Sequence, residues 1–134
     1  MPIPSEHLVG IAAALVLDRG PTTPARRLVG WSLAAAGVVL AARCVRVAGR
    51  VHLAAPDDLV TAGPYAVSRN PMYLAWALLH LGVGLAAGSR WTLVTLPAAC
   101  GWTHAEVLRE ERALTERFGT RYRTYRTTVP RYLR

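Results

Sequence analysis

The most regular feature of this sequence is a set of apolar runs separated by short stretches that contain arginine. Four charge-free runs cover residues 7–17, 28–42, 71–89 and 91–105. A helix needs about 20 mostly apolar residues to cross the hydrocarbon layer of a membrane, and only the third run reaches that length by itself. The pattern predicts an all-α fold, an integral membrane helical bundle of about four helices, and leaves open whether residues 7–17 cross the bilayer.

Turn-forming residues predict the first helix boundaries. The sequence Thr22-Thr23-Pro24 is typical of a helix start, and the second helix should continue from there through its arginines toward Gly49. Residues 50–70 then form the longest polar connection. It contains Pro56, Asp57, Asp58 and the Gly63-Pro64 turn.

The third helix is expected to begin at Asn70-Pro71, because asparagine can cap a helix and proline suits its first position. Gly88 is expected to end it. The fourth helix should extend beyond its apolar part into the charged residues 106–117. A C-terminal amphipathic helical segment that folds back is predicted by helical spacing of Phe118, Tyr122 and Tyr125.

A chain of 134 residues with 52% apolar content allows a single domain, residues 1–134, with the N-terminal helices and their connection in 1–60. All 16 basic residues are arginine, against 8 acidic residues, which gives a net charge of +8. Such a charge raises the question of nucleic-acid binding. The arginines, however, lie between apolar runs and after the last one, as expected of side chains that meet anionic lipid headgroups. Membrane lipids, and not nucleic acid, are therefore the expected partners.

The distribution of arginines also predicts an orientation. If all four runs cross the membrane, one side carries four of the 16 and the other side carries twelve; the four are Arg19, Arg26, Arg27 and Arg90. The arginine-rich side of a membrane protein usually faces the cytoplasm. Residues 63–73 and the charged C-terminal region would then meet at the cytoplasmic surface, although they are distant in sequence.

The start of the third helix is a candidate anion site. The first amide groups of a helix that begins at Asn70-Pro71 have no partner within the helix, and Arg69 adds a positive charge beside them. A carboxylate or a phosphate would be stabilised there. The alternative interpretation is that Arg69 only anchors the helix to lipid headgroups, and both stay open at this point.

Paired carboxylates, Glu110 and Glu111, occur where the fourth helix is expected to leave the bilayer. They either bind a cationic ligand or its hydroxyl groups, or they pair with Arg109, Arg112 and the nearby arginines of the C-terminal tail. His104 shares a helix face with Glu111, which makes it a further candidate site residue. His80, also at membrane depth, is expected to be a packing histidine.

Cys44 and Cys100 lie far apart in apolar surroundings, with no CxxC motif and no histidine at ligand spacing. Neither a disulfide framework nor a metal site is predicted, and both thiols are expected to be buried. Gly84 and Gly88 form a small-xxx-small pair. Such a pair lets another helix approach closely, either within the fold or in a homo-oligomer.

A set of short motifs occurs in order in the second half of the chain: Thr61-Ala62-Gly63-Pro64-Tyr65, Ser68-Arg69-Asn70-Pro71-Met72-Tyr73, Glu110-Glu111, Phe118-Gly119, Tyr122, Tyr125 and Val129-Pro130-Arg131. In these residues the chain resembles the integral-membrane methyltransferases of the isoprenylcysteine carboxyl methyltransferase and phospholipid methyltransferase group. The resemblance implies that residues 61–134 hold the cofactor-binding region.

The resemblance further implies an enzyme that uses S-adenosylmethionine, releases S-adenosylhomocysteine and has its active site at the cytoplasmic membrane face. Arg69 and Glu111 become candidate catalytic residues. Position 70 departs from the commonest family pattern, which has histidine there, and asparagine cannot carry a proton at neutral pH. The resemblance, the helix-start argument for Pro71 and the helix-face argument for His104 together give the candidate cofactor contacts. These are Tyr65, Arg69, Asn70, Pro71, Tyr73, His104, Glu110 and Glu111.

The expected acceptor is lipophilic: the carboxylate of a prenylated cysteine or isoprenoid, a lipid amine, or a thiol. A carboxylate has a pKa near ~4 and needs no general base. An amine or thiol must lose a proton, and no base for that step is identified in the sequence. Two other functions stay open, an NADPH-dependent membrane enzyme similar to sterol reductases and a noncatalytic membrane scaffold subunit.

Overall fold

A computed structural model describes residues 5–54 and 58–133, without the side chains of residues 52–54. Pro56 and Asp57, which were expected in the polar connection, lie outside the described residues. The described chain contains no strand and consists of α1 (Ser5–Val16), α2 (Pro24–Ala54), a 3-10 turn (Gly63–Ala66), α3 (Pro71–Ala87), α4 (Thr92–Phe118) and α5 (Thr120–Thr128). The predicted all-α fold is confirmed.

The predicted start of α2 and both predicted ends of α3 agree with the structure. α2 begins at Pro24, and the amide of Arg26 donates to the hydroxyl oxygen of Thr23 (3.2 Å), which satisfies one of the free amides of the first turn. α3 ends where Gly88 adopts a left-handed conformation with φ of 70°. Glycine is favoured there because it has no Cβ to clash with the backbone.

The expected side-chain cap of α3 is wrong. Asn70 occupies the N-cap position and Pro71 begins the helix, but the side chain of Asn70 does not bond the first turn. Its Nδ2 donates instead to the backbone carbonyl of Arg131, at 3.2 Å. The side chain of Asn70 therefore bonds the C-terminal segment, residues 129–133, instead of the first turn of α3.

The helix that satisfies the membrane-spanning criteria is not the one expected. Within the described chain, the stretch Pro24–Val51 of α2, 28 residues, is the one helix long and apolar enough to cross a membrane. α3 has 17 residues, a length of about 25 Å at the usual helical rise, because the chain leaves the helix at Gly88. Length and composition thus identify one candidate spanning helix in the described chain, and the bundle of about four spans stays a prediction.

The surface of α2 is unusually apolar. Only 22% of its most apolar window is buried inside the protein. Exposed large side chains along it include Leu28, Trp31, Val38, Val39 and Val45. A helix that is apolar and yet this exposed is stable where lipid tails, rather than water, cover it.

α2 and α3 pack antiparallel with their backbones in direct contact. A Cβ at Gly30 would lie 2.5 Å from the amide nitrogen of Ala86, and one at Gly82 would lie 2.6 Å from the carbonyl oxygen of Gly30. Only glycine permits this approach. The predicted small-residue contact therefore occurs within the fold but uses Gly82, while Gly84 makes room for the side chain of Thr92.

α1 packs against α3 and α4 and completes the bundle. At one end of the bundle, the backbone amide of Arg90 donates to the carboxylate of Asp18 at 3.1 Å, which joins the α1–α2 and α3–α4 connections. The opposite end holds the α2–α3 connection, the charged end of α4, and α5. Two stretches that are distant in sequence, residues 63–73 and residues 110–133, meet there.

Candidate functional site

Glu111 lies at the centre of a buried cluster of charges at this end of the bundle. Its Oε1 is 3.1 Å from Nη1 of Arg69, and its Oε2 is 3.0 Å from Nη2 of Arg131. Nε of Arg131 also donates to both carboxylate oxygens at 3.2 Å. Only 8% of the Arg69 side chain and 6% of the Glu111 side chain are exposed. One acid between two arginines leaves the cluster with a net positive charge.

Arg69 keeps unused hydrogen-bonding capacity. Its Nη1 forms an ion pair with Glu111, and within the described residues its Nε is buried without a hydrogen-bond partner. Buried N–H groups are normally satisfied, so a buried Nε–H without a partner is unusual. The groups that an arginine binds best are carboxylates and phosphates, whose oxygens match its planar donors.

The C-terminal segment fixes the loop that carries Arg69. The hydroxyl of Ser68 donates to the carbonyl of Arg131 (3.1 Å) and accepts from the amide of Asn70 (3.2 Å). The amide of Arg69 donates to the carbonyl of Pro130 (2.9 Å). The backbone that precedes α3 is therefore held on both sides of the arginine.

α5 supports this arrangement through buried aromatic residues. Tyr122, Tyr125 and Val129 form a small apolar core, with Leu59, Leu114 and Phe118 packed against it. The hydroxyl of Tyr125 donates to the carbonyl of Tyr65. Burial raises the pKa of Tyr122, and the carboxylate of Glu111 raises it further while Arg69 opposes the shift. The phenol is therefore neutral at physiological pH.

A second group of candidate residues lines a cavity of about 490 Å³ between α1, α3, α4 and the C-terminal segment. The hydroxyl of Tyr73 donates to Oε2 of Glu110 at 3.2 Å. Nδ1 of His104 is 2.9 Å from the hydroxyl oxygen of Tyr132. Tyr73, His104 and Tyr132 all contribute to the cavity wall, together with His7 from α1.

The structure separates the predicted site residues into two contacting pairs and several supporting positions. Arg69 contacts Glu111, and Tyr73 contacts Glu110. Pro71 is almost completely buried and serves as the first residue of α3. Three more have the partners described above: Tyr65, Asn70 and His104.

The two neighbouring acids have different environments. Glu111 is buried and Glu110 is exposed. The salt-bridge interpretation of the sequence applies to Glu111. Its partners are Arg69 and the tail arginine Arg131, and not Arg109 or Arg112. The helix places Arg109 beside Glu106 instead, because residues three apart lie on one face.

Other residues of the region were missed or misjudged from the sequence. The signal for Arg131 was its place in the Val129-Pro130-Arg131 motif. No sequence signal points to His7, whose partner His80 is 73 positions away. His80 is buried with hydrogen-bond partners, as expected of a packing histidine. Cys44 is buried as expected, whereas Cys100 is exposed, so the prediction for that thiol is wrong.

Comparison with family models finds a similarity over most of the chain. Residues 25–121 match the family described as Phospholipid methyltransferase. The matched range contains all eight candidate contacts and ends before Arg131. Comparisons with curated proteins and with solved structures gave no match.

Proposed function

The chain belongs to the phospholipid methyltransferase family, and on that premise we propose that it transfers a methyl group from S-adenosylmethionine to a lipophilic acceptor at the cytoplasmic face of a membrane. The observation that carries the proposal is the buried cluster of Arg69, Glu111 and Arg131. Its net positive charge suits the carboxylate of the cofactor.

Other residues of this region suit the cationic groups of the cofactor. S-adenosylmethionine carries a sulfonium and an ammonium besides its carboxylate. The exposed carboxylate of Glu110, already bonded to the hydroxyl of Tyr73, suits a cation. The rings of Tyr73 and Tyr132 add aromatic faces and edges, which attract cations and flat rings. These residue types therefore fit the cofactor.

When bound, S-adenosylmethionine supplies an electrophilic methyl group. The chain's own residues contribute position and environment. Methyl transfer is an in-line displacement, for which holding the two reactants in line accounts for much of the acceleration. Hydrogen bonds from Ser68 and Arg69 to the C-terminal segment keep the arginine in place.

The membrane setting is supported by α2, and the cytoplasmic orientation by the arginines. The bundle end that holds Asp18 and Arg90 is opposite the end that holds Arg69, Arg131 and the basic α5. The larger number of arginines lies at the second end, which favours the cytoplasm for the proposed site.

The proposal is tested with purified full-length protein in detergent. Binding of S-adenosylhomocysteine without binding of NADPH, measured by calorimetry, is the expected result, and the reverse result overturns it in favour of a reductase. Incubation with methyl-labelled cofactor and a membrane lipid extract should then give a labelled lipid. Cofactor affinity that is unchanged by Glu111→Ala, in a folded variant, would support a noncatalytic scaffold.

A further inference from the structure

A cavity of about 600 Å³ lies at the end of the bundle opposite the candidate functional site. The end of α1 and the α1–α2 connection line one side of it, and the start of α2 lines the other. α3 contributes Val83, Ala86 and Ala87. Val83 and Ala86 are buried, whereas Trp31 of α2 is exposed. The cavity is therefore deepest at α3 and opens outward between α1 and α2.

The α1–α2 connection packs closely against the end of α3. A Cβ at Gly20 would lie 2.8 Å from the carbonyl oxygen of Gly88, and one at Gly88 would lie 2.7 Å from Cγ2 of Thr22. These distances leave no room for a side chain at either glycine. At the end of α1, Nε of Arg19 donates to the carbonyl of Leu15 at 2.6 Å. The polar rim of the cavity is thus formed by the fold itself.

Positive charge collects at this rim without an acidic partner. Arg19 and Arg27 line the cavity, and neither takes part in a salt bridge of the described chain. Asp18 is the only acid in residues 17–31 and 83–95, and its carboxylate already accepts from Arg90. An anion in the cavity would supply the opposite charge that this end of the chain lacks.

The start of α2 adds to the same imbalance of charge. The free amide groups of a helix give its N-terminus a partial positive charge, which favours acidic residues in the first turn. α2 has no acidic residue there and carries Arg26 and Arg27 instead. Cations at the positive end of a helix destabilise it, and a bound anion would offset that cost. The charge of α2 therefore favours the same kind of ligand as the rim.

The polar and apolar parts of the cavity are arranged like those of a phospholipid. α2 is the candidate spanning helix and begins at Pro24, so Arg27 in its first turn lies at the level of the lipid headgroups. Trp31 is one turn deeper, about 6 Å along the helix, and on the same face. Together with Leu15 and Val83 it gives the inner part of the cavity an apolar wall. A phosphate and an acyl chain would each meet a matching surface.

We propose that this cavity binds an anionic phospholipid of the leaflet away from the candidate functional site. Arg19 and Arg27 hold its phosphate, and Trp31 contacts the first part of an acyl chain. A lipid with net negative charge is favoured over a zwitterionic one, because no lining residue is acidic and could bind a headgroup cation. The inference goes beyond the proposed function, since it uses none of the residues proposed to bind the methyl donor.

Such a lipid would connect two helices that otherwise meet through α3. α1 packs mainly against α3 and α4, and α2 packs mainly against α3. A phosphate held by Arg19 on one side and by Arg27 on the other adds a link between α1 and α2. Because a ligand that binds only the folded protein stabilises it, the lipid should also raise the melting temperature.

Native mass spectrometry of the full-length protein in detergent tests the preference for an anionic headgroup. Dioleoyl phosphatidylglycerol and dioleoyl phosphatidylcholine are titrated separately, and the dissociation constant of the first bound lipid is measured. One arginine near a membrane surface contributes about 1 kcal/mol to the binding of anionic lipid, which equals about fivefold in affinity. With two arginines, phosphatidylglycerol should bind at least about tenfold more tightly than phosphatidylcholine. Equal affinities for the two lipids overturn the proposal.

Arg26 and Arg27 provide a matched pair of variants. They are adjacent in α2 and both exposed, but only Arg27 is among the residues that line the cavity. Arg27→Gln and Arg19→Gln should each weaken phosphatidylglycerol binding about fivefold. Arg26→Gln should weaken it less than about twofold, because its charge lies outside the cavity and is screened by solvent. Equal losses for Arg26→Gln and Arg27→Gln would show a general attraction to basic surface and overturn the site.

The fluorescence of Trp31 locates the acyl chain. Trp76→Phe, Trp91→Phe and Trp102→Phe together leave Trp31 as the only tryptophan. In phosphatidylcholine nanodiscs, phosphatidylglycerol with brominated acyl chains should quench its emission more strongly than the same fraction of brominated phosphatidylcholine. Arg27→Gln in this background should remove the difference, and a difference that persists contradicts the assignment.

Inorganic phosphate separates a lipid site from a site for the free ion. Compared with sodium chloride at the same ionic strength, phosphate should leave the binding of phosphatidylglycerol unchanged in the mass spectra. Displacement of the lipid by phosphate would show that the two arginines bind the ion without its lipid, and it would overturn the lipid assignment.

Thermal unfolding tests the link between α1 and α2. Added phosphatidylglycerol should raise the melting temperature of the wild-type protein and of Arg26→Gln, and should raise that of Arg27→Gln much less. The same rise in all three proteins contradicts the role of the cavity. No measurement here uses S-adenosylmethionine, so failure of the lipid site and failure of the proposed function are observed separately.

Discussion

Arg69 and Glu111 lie 3.1 Å apart in the protein interior, although one precedes α3 and the other belongs to the charged end of α4. Arg131 binds the same carboxylate from the C-terminal segment. A single acid thus joins three parts of the chain that are separated in sequence. The proposed cofactor region should therefore depend strongly on the charge of this one side chain.

Glu111→Gln tests that dependence. The substitution keeps the size of the side chain but leaves two arginines without a counter-charge. Breaking a buried ion pair from one side costs about 3 kcal/mol or more, so we expect a large drop in stability. Thermal unfolding in detergent measures it, and calorimetry should show S-adenosylhomocysteine affinity reduced at least about tenfold, the equivalent of about 1.4 kcal/mol.

Glu116→Gln is the matched control, because Glu116 lies on the same helix and is exposed. It should change stability by no more than about 0.5 kcal/mol. Similar effects of the two substitutions would show that the buried cluster has no special importance.

Tyr125→Phe tests the contact between α5 and the loop before α3. The variant loses the hydrogen bond from the Tyr125 hydroxyl to the carbonyl of Tyr65. We expect a loss of about 1–2 kcal/mol at pH 8. The melting temperature of the wild-type protein and the variant in the same detergent provides the comparison.

The same pair of proteins should differ in alkaline solution. Burial raises the pKa of Tyr125, and neighbouring Tyr122 raises it further while Arg69 opposes the shift. Above the ordinary tyrosine pKa of about 10 the unfolded chain loses its proton first, so stability falls as pH rises. The advantage of the wild-type protein should be complete below about pH 10 and shrink above it. An advantage that grows with pH would contradict this assignment.

Gly30→Ala tests the close packing of α2 and α3. A Cβ at this position would lie 2.5 Å from a backbone nitrogen of Ala86, which cannot move aside without shifting the helix. Overpacking of this kind costs about 1–3 kcal/mol, and a backbone clash belongs at the upper end. Unfolding measurements in detergent should show the loss.

Gly49→Ala on the same helix is the control, since no atom lies within 4 Å of its would-be Cβ. It should be neutral or stabilise the helix by up to about 1 kcal/mol. If both alanine variants stabilise the protein, the helices are not packed as closely as the structure indicates.

Cysteine labelling tests the proposed orientation. In a Cys44→Ala, Cys100→Ala background, Arg90→Cys and Arg123→Cys place single thiols at exposed positions of opposite ends of the bundle. A membrane-impermeant maleimide added to intact cells should label the thiol at position 90. The thiol at position 123 should react only after lysis. The reverse pattern would place the site outside the cytoplasm.

Much of the architecture could be predicted from local sequence signals. Pro24 after two threonines and Gly88 after an apolar run mark real helix boundaries, because capping and left-handed glycine are properties of a few adjacent residues. The length of a span was less predictable. The charge-free runs predicted that residues 71–89 form the clearest membrane span. The longest helix is instead α2, which continues through Arg43 and Arg46 toward its C-terminal end.

The sequence by itself determined that the chain is helical, apolar enough for a membrane, and equipped with arginine and glutamate motifs of a methyltransferase family. The tertiary structure decided which charges meet: Glu111 pairs with Arg69 and Arg131, not with its neighbours in α4. It also decided that His7 and His80 share a hydrogen. Composition and spacing report on short-range preferences, but the partner of a buried charge or a ring nitrogen depends on how distant helices pack.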